Sequence, residues 1–198
     1  MNLLNNILNK AKKIKQQIYF KIEELYYYLD LNGEYYIEEK PHNIEFVEGT
    51  KEDLGALIEC DPILFGDKKI QRFQNRLDAG ERLFLIRLNG KIGNYVWQSY
   101  KEAQLAVGIN KALDEGQVFL YDSHTFDAFR RRGLFKVAMF ESIRLAKKEG
   151  YQEIYVTHLK NNFISQKVFV NIGYKLIKKY TLIRFFKKNY IREINITS

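Results

Sequence analysis

The chain has 198 residues, 46% of them hydrophobic and 15% aromatic, which excludes intrinsic disorder and fits a domain with a substantial core. Its one cysteine, Cys60, excludes an internal disulfide framework, and no apolar run of about 18 residues predicts a membrane-spanning helix. The net charge of +8 at pH 7 favours an anionic partner such as a nucleic acid, an anionic membrane face or a phosphorylated ligand. Cysteine usage and the absence of a signal-peptide pattern together lead to the expectation of a cytoplasmic protein.

Leu4, Ile7, Leu8, Ala11, Ile14, Ile18, Ile22, Leu25 and Leu29 recur every three or four positions, which predicts an apolar stripe on a long N-terminal helix. Lys10, Lys12, Lys13, Lys15 and Lys21 precede the first acid, Glu23, and Tyr26, Tyr27 and Tyr28 follow it. Residues 1–40 are accordingly set apart as an amphipathic helix and connector, and residues 41–198 as the main domain. Two fates suit such a helix. It docks on its own domain or on a second copy in a homodimer, or residues 1–30 lie against an anionic membrane as a peripheral contact.

Asn32-Gly33 breaks the helix, 34–39 reads as a short strand, and His42 beside Pro41 falls in a turn as a solvated residue. Residues 44–48 alternate as a strand, and 51–59 and 67–77 read as helices. The runs 82–88 and 91–97 flank Asn89-Gly90, a strong hairpin signal. Residues 99–116 match no regular element and read as an insertion over the site. A strand at 117–125, a helix at 133–149 closed by Gly150, a strand at 154–158, a helix at 162–172 ending at Gly173, and strands at 174–180 and 182–186 complete the chain. This order predicts an α/β (α+β) architecture, a central mixed β-sheet flanked by helices, and not a doubly wound nucleotide fold.

The helix at 133–149 opens on Arg130-Arg131-Arg132-Gly133. Cations at the positive end of a helix are unfavourable for the helix alone. They become favourable when an anion sits there, because free N–H groups and guanidinium groups together cradle a phosphate. Gly133 has no side chain to keep that phosphate from the backbone.

The strand at 117–125 followed by Arg130-x-x-Gly133 at a helix start resembles the pyrophosphate-binding motif of the GNAT acyltransferase superfamily. Downstream, Asn162-x-x-Ser165-x-x-x-Phe169-x-x-x-Gly173-Tyr174 resembles that family's second motif, a helix that ends in Gly-Tyr before a strand. The resemblance is clear over 117–186, faint over 44–98, and does not reach the first 40 residues. It implies a GNAT-like domain with acetyl-CoA, or another acyl-CoA, as co-substrate and a small-molecule amine as acceptor. Arg130, Arg131, Arg132, Gly133, Leu134, Phe135 and Lys136 would contact the CoA pyrophosphate. Ser123 and Thr125, with His124 between them, would bind the pantetheine arm; Asn162 would cap the next helix and, with Ser165, lie near that arm. In this family the strands matching 117–125 and 154–158 splay apart around the cofactor. Two positions depart from the pattern. Phe135 stands where the motif has Gly or Ala, and Phe169 stands where many members carry a tyrosine acid.

Amine acylation needs an unprotonated nitrogen and a route for its proton. His124 and His158 end the two strands of the motif framework, and Asp122 shares the period-two face of His124, where it could orient the imidazole. These three are the catalytic candidates; the alternatives are a histidine bonded to backbone and an Asp122 paired with an arginine. Tyr121 and Tyr174 are substitutes for the missing tyrosine. The histidines and Cys60 show no metal-ligand spacing, so no metal is expected, and Cys60 lies outside the motifs. The basic residues are dispersed without an aromatic-basic motif, which argues against nucleic acid. The expected reaction is direct attack on the thioester, with a backbone N–H near Thr125 polarising the carbonyl. The acceptor guess is an amino sugar or other envelope-related small molecule, and the alternative function is a non-catalytic acyl-CoA sensor of the same fold.

Overall fold

In a computed structural model of the chain, residues 19–186 and 188–196 are described. The elements in chain order are β1 (Tyr19–Asp30), β2 (Ile44–Gly49), α1 (Asp53–Cys60), α2 (Asp67–Asp78), β3 (Arg82–Leu88) and β4 (Lys91–Ser99). They continue with β5 (Glu102–Gln104), β6 (Asn110–Ala112), β7 (Gln117–Thr125), a 3-10 turn (Asp127–Phe129), α3 (Leu134–Lys148), β8 (Glu153–Leu159), α4 (Phe163–Ile172), β9 (Lys175–Phe185) and β10 (Lys188–Asn195). One sheet runs in the order β10-β9-β1-β8-β7-β4-β3-β2, and β5-β6 is a separate two-stranded ribbon. Within the large sheet β7 and β8 pair in parallel, with α3 as their crossover, and the other neighbours are antiparallel. The expected mixed sheet flanked by helices is the architecture observed.

Both sheet faces are covered. On one side α3 and α4 pack Val137, Ala138, Ile143, Phe169 and Ile172 against Leu25, Tyr27, Val118 and Val156. On the other, α1, α2 and the β5-β6 ribbon bring Leu57, Phe73, Ala103 and Val107 against Tyr26, Tyr95, Trp97 and Phe119.

This two-sided burial corrects the reading of the N-terminal segment. Residues 1–18 of the predicted helix lie outside the described residues. Tyr19–Asp30 is a strand seated between β8 and β9, with Tyr28 opposite Tyr155 and Ile22 opposite Leu182. Tyr26 and Tyr27 are adjacent, and both are fully buried, one on each face. A one-stripe helix could not bury both, whereas a strand covered on both faces reads as a continuous apolar run. The aromatic triplet is also strand-favouring.

Three smaller corrections follow. The connector 33–42 holds no strand; Tyr36 N–H donates to Ile172 O, and the Glu38 carbonyl accepts from Arg144. The predicted strands 174–180 and 182–186 are one strand, because Thr181 continues the ladder with Glu23 and Arg192. The partner strand β10 was not expected, since its alternating polar sequence keeps all its residues exposed.

Gly93 allows α3 to approach β4 closely. A Cβ there would collide with Leu134 Cδ1, the first residue of α3, and lie 3.0 Å from the Phe129 ring. Gly93→Ala should therefore destabilise the protein by about 1–3 kcal/mol through overpacking. Urea unfolding followed by circular dichroism measures the change.

Candidate functional site

The parallel ladder of β7 and β8 runs from Gln117–Glu153 to Leu120–Val156 and stops there. Beyond it β7 stays with β4, where Tyr95 faces His124, while β8 stays with β1, where Leu25 faces His158. The expected splay is present, and it leaves the β8-facing backbone edge of residues 121–125 unpaired. A register shift between Tyr95 and Trp97 bulges β7, and Asp122 takes a left-handed φ of 43° within the bulge. Bulges re-aim side chains and end pairing.

A cleft of about 460 Å³ opens beside this splay, lined by Ser123, His124, Thr125, the turn at Arg130, Arg131 and Gly133, the α3 start at Leu134, Phe135 and Lys136, and Asn162 and Ser165. Of the candidates named from sequence, Arg132, Asp122 and His158 do not line it. Arg132 stacks over the Phe129 ring at 5.8 Å.

The turn is built for exposed backbone donors. Gly133, the N-cap of α3, has φ 74°, no side chain caps the helix, and its first turn holds no acid. The first helical bond is Val137 N–H to Gly133 O, so the amides of Leu134, Phe135 and Lys136 have no partner among the described hydrogen bonds. A Cβ at Gly133 would meet no atom within 4 Å. Arg131, also left-handed at φ 62°, makes no ion pair among the described residues, while Arg130 pairs with Asp127 at 2.7 Å and Lys136 with Glu38 at 2.8 Å. Positive charge, free amides and open space meet in one place, which suits a pyrophosphate. Across the cleft Asn162 caps α4 as expected: its Oδ1 accepts from Ser165 N–H at 3.2 Å.

The two phenylalanines that depart from the motif meet each other. Phe135 and Phe169 lie edge to face with centroids 5.8 Å apart, and Phe169 also touches Tyr27, His158 and Tyr174. His158 is thereby buried behind the cleft; its Nδ1 lies 2.8 Å from Leu159 O, which it can reach as an N–H donor. Burial holds its pKa below the ordinary imidazole value. The Tyr174 hydroxyl is fully buried with no described partner, and burial raises its pKa strongly. Neither group reaches the cleft as an acid or base.

His124 lines the cleft, with its ring packed against Tyr95 and Phe126. Burial, then the charges of Lys69 and Arg130, lower its pKa below the ordinary imidazole value, and its Nε2 is buried with no described partner. Asp122 does not hydrogen-bond His124. Its Oδ2 accepts from Arg76 at 2.6 Å, and its Oδ1 accepts from the Tyr95 hydroxyl at 3.3 Å. Arg76 in turn stacks over Trp97 and Tyr121 at 5.1 and 4.7 Å. The pairing of Asp122 with an arginine is thus the outcome observed. The side chains of Lys69, Arg72 and Arg76 on α2, which join this region, were missed from sequence. Their spacing on one helix face was the available signal. The insertion 99–116 does not cover the cleft. It packs on the opposite sheet face, where Val107 N–H donates to the buried Glu24 carboxylate at 3.3 Å.

A scan of the sequence against protein-family models finds no match, and a search of curated proteins finds none. Solved structures do match the fold. An acetyltransferase from the GNAT family of Colwellia psychrerythraea aligns with a TM-score of 0.61 and 16% identity over 90% of this chain and 62% of its own. A GCN5-related N-acetyltransferase from Sphaerobacter thermophilus aligns with a TM-score of 0.59 and 13% identity over 96% of this chain and 57% of its own. AAC(6')-Iy, in complex with the bisubstrate analogue CoA-S-monomethyl-acetylneamine, aligns with a TM-score of 0.51 and 19% identity over 67% of this chain and 90% of its own. The chain spans less than two thirds of the length of the first two. It has the fold of the GNAT superfamily.

The Asn162 cap holds the α4 end of the cleft. Asn162→Ala should cost about 1 kcal/mol of stability, read as a lowered midpoint in thermal denaturation.

Proposed function

We propose that the protein transfers an acetyl or short acyl group from CoA to the amine of a small molecule. The observation that carries this reading is the convergence of free α3 amides, the Arg130–Gly133 turn and the splayed edge of β7 on one cleft. The residues fit the group: the amides of Leu134, Phe135 and Lys136 with Arg130 and Arg131 would hold the pyrophosphate, and the unpaired edge at Ser123–Thr125 would bond the pantetheine amides like an added strand. When bound, acyl-CoA would supply the thioester that the amine attacks, the C–S bond breaking to release CoA as the thiol. A backbone N–H near Thr125 would polarise its carbonyl. His124, which lines the cleft and whose pKa burial lowers, would take the proton from the attacking nitrogen. Asp122 would act indirectly, by fixing Arg76 and Tyr95 beside His124.

A second reading, an acyl-CoA-binding protein without turnover, is favoured by one observation. Phe169 sits inside a closed ring cluster and offers no hydroxyl to a leaving thiolate. Release of CoA thiol in the presence of amines separates the two readings.

Gly133→Leu should raise the Kd for acetyl-CoA at least ten-fold, measured by calorimetry; unchanged affinity would remove the pyrophosphate assignment. His124→Ala should lower kcat by about 100-fold with CoA affinity nearly intact. The pH profile has a defined sign. Because burial holds the His124 pKa below the ordinary imidazole value, its base form persists through neutral pH, and His124 should add its own fall in kcat/KM only at acidic pH, below the separate limb set by the acceptor amine. In His124→Ala that added fall should be absent.

A further inference from the structure

A cationic cluster lies on the sheet face opposite α3, against the same His124 that lines the cleft. Lys69, Arg72 and Arg76 recur at turn-like spacing along α2 and aim at β4 and β7. Arg76 is satisfied: it holds Asp122 at 2.6 Å, and Glu81 lies 3.9 Å away. The other two are not. Arg72 reaches Asp122 Oδ2 only at 3.9 Å, and its head is 55% exposed. The Lys69 ammonium is half-buried over the rings of Phe65, Phe73 and Tyr95, at 4.6, 5.5 and 5.3 Å. Its one described hydrogen bond goes to the Tyr95 hydroxyl at 2.8 Å, and it forms no ion pair among the described residues.

A half-buried ammonium without a carboxylate is costly unless something anionic completes it. Asp122 serves them only in part: its oxygens are engaged by Arg76 and the Tyr95 hydroxyl, Arg72 approaches at 3.9 Å, and Lys69 feels its charge without an ion-pair contact. Two incompletely neutralised cations therefore stand beside the one histidine that lines the cleft. The Tyr95 ring bridges them, with its centroid 6.0 Å from that of His124.

We infer that Lys69 and Arg72 form an acceptor subsite for an anionic group, so that the amine substrate also carries a carboxylate or a phosphate. This rests on the acyl-transfer reading above and adds the chemical class of the acceptor. The anion sits on Lys69 and Arg72 while the amine of the same molecule reaches past Tyr95 toward His124. Arg76 and Asp122 keep the wall rigid, and their mutual pairing leaves the charge of Lys69 and Arg72 available to the ligand.

The test uses the full chain saturated with CoA and two matched pairs of amines, titrated by calorimetry at low salt. β-Alanine against β-alaninamide probes a carboxylate, and phosphoethanolamine against ethanolamine probes a phosphate. The anionic member of at least one pair should bind at least ten-fold tighter than its neutral partner, and the pair that discriminates identifies the anion. Arg72→Gln, at an exposed position that leaves the core untouched, should collapse that ratio, and so should Lys69→Met. Lys68→Gln removes the same charge from an exposed position of the same helix and should keep the wild-type ratio. Equal or absent binding within both pairs, or a ratio unaltered in Arg72→Gln, overturns the subsite. A protein that fails to bind CoA in the first titration loses the acyl-transfer reading and this inference together; CoA binding with flat amine titrations removes this inference alone.

Discussion

The parting of β7 from β8 after the Leu120–Val156 pair is the constraint on which the rest of the site depends. Two parallel strands would normally stay hydrogen-bonded along their length, because an unpaired backbone group buried without water is costly. Here the bulge opposite Tyr95–Trp97 turns β7 toward β4, and β1 holds β8 on the other side. The strand edge that results is free to bond a ligand. The left-handed Asp122 is the strained point of that bend, and its double engagement by Arg76 and Tyr95 offsets the strain.

Local chemistry was legible in the sequence; chemistry made by distant contacts was not. The arginine turn could be read because its logic is contained in four consecutive residues and the helix they start. The Asn162 cap came with the family resemblance, and its bond to Ser165 N–H is present. The Asn89-Gly90 hairpin followed from turn chemistry alone. By contrast, the partner of Asp122 lies on α2, 46 residues earlier, and nothing local announces it. His158 ends its strand as expected but is sealed by Phe169 on the following helix and by Tyr27 near the start of the described chain. The segment 19–30 failed for another reason. Ile22, Leu25 and Leu29 satisfy a helical period by coincidence, and only burial on both faces distinguishes the strand.

Phe135 and Phe169 are a coupled departure. The motif has a small residue at one position and often a tyrosine at the other, and here two rings pack edge to face across the gap between α3 and α4. Such pairs contribute about 0.5–1.5 kcal/mol beyond area burial. The aromatic cluster around Phe169 thus closes the wall of the cleft with packing where a hydroxyl would have left a polar atom. In the proposed reaction, proton transfer would fall to His124 and solvent.

The place of β1 has a consequence for how the molecule is made. The first described strand is threaded between two of the last, so Tyr28 pairs with both Tyr155 and Lys175. During synthesis residues 19–30 emerge long before either neighbour exists. The half-sheet of β2, β3, β4 and β7 can assemble early from near-neighbour pairings, but the centre must wait for the C-terminal third. Contacts so distant in sequence slow the search for the native state. Until they form, the Leu25–Leu29 run is an apolar strand with two unpaired edges, the segment most in need of protection on the ribosome.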